Sequence, residues 1–71
     1  MVRDEVDQAL IGSVGRVTVP IEPGRPGEVL LNVRGGSEAY MALSDEAIAK
    51  HRRVVVVECN SGRSVTVTPL A

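Results

Sequence analysis

Branched aliphatic residues recur at every second position along most of this chain, and that period constrains the fold more than any other feature. Val17, Val19 and Ile21 alternate with Arg16, Thr18 and Pro20. Val29, Leu31 and Val33 alternate with Leu30, Asn32 and Arg34. Ala39, Met41 and Leu43 alternate with Glu38, Tyr40 and Ala42; Val65 and Val67 alternate with Ser64, Thr66 and Thr68. Successive side chains of a strand point to opposite faces, so this pattern predicts half-buried strands with the first-named set inward. Residues 52–59 carry Val54, Val55, Val56 and Val57 without a break, which predicts a more buried strand. Five strands are thus expected.

The punctuation between these runs agrees. Pro23-Gly24-Arg25-Pro26-Gly27 separates the first strand from the second. Gly35-Gly36 suits a two-residue hairpin, where positive φ is needed, and Asn60-Ser61-Gly62 does the same between the last two strands. Val14 is out of phase with Val17, and the intervening Gly15 suggests a bulge or sharp bend. Residues 44–50 differ from the rest. Ser44 can cap a helix, Asp45 and Glu46 suit its positive end, and Lys50 suits its negative end. One or two helical turns are expected there. The resulting order, β-β-β-α-β-β, is that of the OB-fold: an all-β, five-stranded Greek-key barrel with a short helix between strands 3 and 4. An SH3-like barrel is the main competitor, but its short turn falls between the last two strands. Residues 1–10 read as a flexible tail or linker stub, and 11–71 as the barrel.

Composition narrows the function. The only aromatic residue is Tyr40. Most single-strand nucleic-acid binding needs several exposed rings, and so does cation recognition by aromatic cages. Eight basic and nine acidic residues leave a net charge of −1, so no global field attracts a polyanion. The N-terminal residues are acidic and carry no signal-peptide core. The lone Cys59 cannot form an internal disulfide. His51 and Cys59 stand near opposite ends of one predicted strand, about 26 Å apart at ~3.3 Å per residue, too far for a catalytic dyad. No serine sits in a Gly-x-Ser-x-Gly elbow, and no phosphate-binding glycine motif is present. The acidic residues at 4, 5 and 7 read as a solvated tail. No enzyme, no cofactor and no metal is expected.

Two surfaces are left as candidates. Leu30, Tyr40, Ala42, Val54 and Val56 lie opposite the faces assigned to the core, and a barrel this small cannot bury both faces of every strand. Where exposed, they would mark a protein partner. The second is the run Lys50-His51-Arg52-Arg53. Together with Arg16 and Arg34 its cations could contact phosphate, which makes OB-fold nucleic-acid binding the alternative reading. The bland account of that run is a solvated loop whose charge guards the valines from aggregation.

From Ile11 to Leu70 the chain resembles the C-terminal soluble domain of the NfeD family. The resemblance is carried by Gly12-Ser13-Val14-Gly15-Arg16-Val17, Pro23, Gly27-Glu28-Val29, Gly35-Gly36, Ala42 and Ile48-Ala49-Lys50. It continues in Val54 to Val57 and in Val65-Thr66-Val67-Thr68-Pro69-Leu70. Family members usually have a glycine leading into strand four, where this chain has His51-Arg52. The resemblance implies an OB-fold barrel and a parent protein with transmembrane helices ahead of it. It also implies a partnership with SPFH-family scaffolds, the flotillins and stomatin relatives; the domain itself is expected on the cytoplasmic side. It assigns no ligand, cofactor or catalytic residue.

Overall fold

A computed structural model describes residues 10–33, 35–60, 62 and 64–70. Its strands are β1 (Val14–Val19), β2 (Gly27–Val33), β3 (Gly36–Leu43), β4 (Arg53–Cys59) and β5 (Ser64–Pro69). They close into a barrel in the order β1-β2-β3-β5-β4, with β4 returning to β1. Every pairing is antiparallel except β3 with β5. This is the five-stranded OB-fold barrel that the element order predicts. Closure removes the sheet edges that would otherwise invite aggregation.

The interior is aliphatic. Val17, Ile21, Val29, Leu31, Val54, Val56, Val65 and Val67 are buried with Ile48 and Ala42, and no polar or charged residue among those described is buried. Leu10 joins this core, so the tail expected over 1–10 gives up its last residue to the barrel. Residues 1–9 lie outside the described residues.

Two bulges set which side chains face inward. In β1, Val17 pairs with Val29 and Val19 pairs with Glu28, so Thr18 is an extra residue. The strand changes phase there, and Val19, expected inside, faces out. The break lies here and not at Gly15. That glycine instead packs tightly, because a Cβ would meet the Leu30 carbonyl at 2.5 Å and the Leu31 side chain at 2.6 Å. In β4 the same device between Val56 and Glu58 leaves Val57 exposed. An added residue sharpens local twist, which a small barrel needs in order to close.

The β3 face is the reverse of the expected one. Ala42 is buried and Tyr40 packs against the core, while Met41 and Ala39 face out. Both sets in this strand are apolar, so the period alone leaves its phase open. Pairing with β2 decides it: Val29 opposes Tyr40 on the inner face, and Leu30 opposes Ala39 on the outer.

Segment 44–50 forms no helix. Seven residues barely repay the cost of nucleating one, and the backbone has a better partner. Ile48 donates to the Ile21 carbonyl at 2.8 Å and accepts from the Ile21 N–H at 3.0 Å, while its side chain enters the core. Ser44 Oγ accepts from the Glu46 N–H at 3.1 Å, a local turn in place of a cap. The chain then turns through Ala49–Arg52, closed by Arg52 N–H to the Ala49 carbonyl at 3.2 Å. His51 stands in that turn at φ 78°, a left-handed conformation that favours glycine. A glycine here would meet that φ without strain, and this chain meets it with histidine.

One turn matches its residues and one is shifted. Glu22 and Arg25 exchange both backbone hydrogen bonds across Pro23-Gly24. Gly24 at φ 79° then supplies what a type II turn requires after proline. Val33 pairs with Gly36, so the second hairpin turns one residue earlier than Gly35-Gly36, and Gly36 opens β3.

Candidate functional site

Of the five apolar residues expected outside, only Leu30 is on the surface. Ala42, Val54 and Val56 are in the core, and Tyr40 is half-buried against it. The reason is phase. The β3 face is reversed, and in β4 the first and third valines of the run point inward. Among the described residues, the large apolar side chains that do reach solvent are Val19 (47% exposed), Leu30 (41%), Met41 (53%), Val57 and Ile11.

Register gathers three of these on one sheet face. Val19 opposes Glu28, and Glu28 opposes Met41, which makes a row across β1, β2 and β3. The next outward row on β2 and β3 is Leu30 with Ala39. Val19, Leu30 and Met41 thus surround Glu28. That carboxylate is held down, with Thr18 Oγ1 donating to Glu28 Oε1 at 2.7 Å and approaching its carbonyl at 3.2 Å. The bulge that turns Val19 outward also supplies the threonine that anchors the carboxylate. Val19 and Met41 were missed in the sequence because both sit on the face that strict alternation sends inward.

The cationic residues divide into two places. Arg16 of β1 opposes Arg53 of β4 directly, and both are exposed. Lys50, His51 and Arg52 form the turn before β4, and their backbone is tied to β1. His51 N–H donates to the Val17 carbonyl at 2.8 Å, and Arg52 accepts from the Val17 N–H at 2.9 Å. Their side chains face solvent. Arg34 lies outside the described residues. A groove of about 350 Å³ crosses the outer surface beside the arginine pair, lined by Val14, Gly15, Arg16, Leu30, Asn32 and Arg53. Leu30 borders both this groove and the apolar face.

Little else in the described residues suggests chemistry. His51 precedes β4 and the half-buried Cys59 ends it. Among the described residues no group of three or more histidine, cysteine, aspartate or glutamate side chains could hold a metal ion. No helix of the described residues is long and apolar enough to cross a membrane. The Tyr40 hydroxyl donates to Glu38 Oε1 at 3.2 Å.

Comparison with known proteins places this surface in context. No curated protein matches the chain. Two solved structures share the fold at a TM-score of 0.72 each. One is the C-terminal domain of stomatin operon partner protein 1510-C from Pyrococcus horikoshii, 27% identical, covering 92% of this chain and 94% of that one. The other is the soluble domain of the NfeD protein YuaF from Bacillus subtilis, 26% identical, covering 97% of this chain and 92% of that one. Residues 14–68 match the model of the NfeD C-terminal domain, and with all five strands inside that match, save only the last residue of β5, this chain belongs to the NfeD C-terminal domain family.

Proposed function

We propose that this domain is a non-enzymatic protein-interaction module, carried by a membrane-anchored parent on its cytoplasmic side, whose partner is an SPFH-family scaffold of the flotillin and stomatin type. The observation that carries the reading is the outer face of β1–β3, where Val19, Leu30 and Met41 stay in solvent although the barrel interior is already filled. Apolar side chains gathered on a sheet face are what a protein partner covers. The name of the Pyrococcus horikoshii relative, a stomatin operon partner, supports the choice of partner class. In this reading the barrel hangs from hydrophobic helices of a longer chain and docks sideways through its sheet.

The test is capture of a purified SPFH-family protein from the same genome by the immobilised domain. Retention above that of an unrelated barrel supports the reading, and no retention by either the domain or its full-length parent contradicts it. Nucleic-acid binding is the weaker alternative. Tyr40, the one residue among Phe, Trp and Tyr in this chain, packs half-buried against the core and offers bases little exposed platform. A salt titration with single-stranded oligonucleotide separates the two readings, since phosphate contacts give affinity that falls steeply with salt.

A further inference from the structure

We propose that the groove across β4, β1 and β2 receives an acidic segment of the partner protein, with Arg16 and Arg53 on its carboxylates and Val14 and Leu30 against a neighbouring aliphatic side chain. The inference rests on the interaction reading above and adds the chemistry of what is bound.

Register builds the site. Arg53 opposes Arg16, and Arg16 opposes Leu30, so two cations and one apolar side chain form a single row across three strands. Directly opposed residues of an antiparallel pair have Cβ atoms about 5 Å apart, and like charges there are destabilising. The barrel tolerates this repulsion on its surface, and an anion set between the two guanidinium groups would relieve it. Guanidinium is planar and presents paired donors that match a carboxylate. The backbone of Gly15 floors the groove, and Val14, Leu30 and Asn32 complete the walls. At about 350 Å³ the space suits a few side chains and not a large cofactor. Phosphate would also satisfy the arginines. The aliphatic walls and the absence of any ring among the lining residues favour a peptide over a nucleic acid.

The experiment is an NMR titration of the 15N-labelled domain with three probes. They are a synthetic peptide alternating Glu or Asp with Leu, its Gln/Asn counterpart, and a thymidine oligonucleotide of equal charge. The acidic peptide is expected to shift the amides of residues 14–16, 30–32 and 53. Affinity for it should fall at least tenfold in R16E/R53E and several-fold in R16Q/R53Q, the milder variant that guards against misfolding. The charge-reversed domain should in turn prefer a Lys/Leu peptide. Equal binding of the neutral peptide, shifts elsewhere on the barrel, or preference for the oligonucleotide would each overturn the proposal. The SPFH capture assay distinguishes its failure from that of the broader reading. If wild type and R16E/R53E retain the scaffold equally, the groove is not its site and the module still is an interaction module. If the wild-type domain retains no scaffold yet binds the acidic peptide as described, the groove stands and the scaffold assignment falls.

Discussion

Two residues show how tightly the barrel is drawn at the scale of single side chains. Gly27 opens β2 where a Cβ would run into the carbonyl oxygens of Val19 and Pro20 and the Cγ1 of Ile21. Rigid backbone lies on two sides, so a methyl group has nowhere to go. Gly27→Ala is expected to cost about 3 kcal/mol, within the range of severe overpacking. The urea midpoint measures it, and an unchanged midpoint would show that the β1–β2 crossing is looser than described. His51 is the opposite case. Its left-handed φ of 78° costs a non-glycine residue about 1–2 kcal/mol, against which glycine gives back up to about 1 kcal/mol of chain entropy. His51→Gly should therefore stabilise the domain by about 0.5–1 kcal/mol, raising Tm by a few degrees in a thermal melt. A lower Tm would mean that the imidazole makes a contact worth more than the strain. The Pro23-Gly24 turn was legible in the sequence, while the Gly35-Gly36 hairpin was placed one residue too late. The strain at His51 was visible there only as a departure from the family pattern.

Among the elements, alternation located every strand to within about two residues but assigned the wrong phase to β3 and β4. Where one set is polar, as in Ser64, Thr66 and Thr68 of β5, the inward face follows from composition. Where both sets are apolar, as in β3, only the partner strand decides, and the inner pairing of Val29 with Tyr40 is a long-range fact. Bulges are equally hidden, since Thr18 and Val57 look like ordinary members of their runs. These phase changes moved the candidate surface from Ala42, Val54 and Val56 to Val19 and Met41. The helix expected over 44–50 failed for a related reason, because local capping residues lost to a non-local bridge between Ile48 and Ile21. Hydrogen exchange checks this directly. The amides of Ile21 and Ile48 should be protected, and those of Ala49 and Lys50 should exchange rapidly. Protection running through Ile48, Ala49 and Lys50 would indicate a helical ladder instead.

For the molecule as a whole, the scarcity of rings shapes both stability and function. The core is built from valine, leucine and isoleucine, each contributing about 1.5–3 kcal/mol when fully buried. With no ring on the outer sheet, the OB-fold's usual means of holding bases is missing, and the surface offers aliphatic side chains and a pair of arginines. Leu30 joins the two, lying in the groove row with Arg16 and beside Ala39 on the apolar face. A partner that covers the apolar face and places an acidic segment in the groove would cross Leu30 in doing so. The central claim is that this outer face is the docking surface. Its most direct test is the Kd of the domain for a purified SPFH-family protein, measured for wild type and for L30D/M41D. Both side chains are exposed, so the variant should keep its Tm within a few degrees and lose at least tenfold in affinity. An L30D/M41D domain that binds as tightly as wild type would contradict the account.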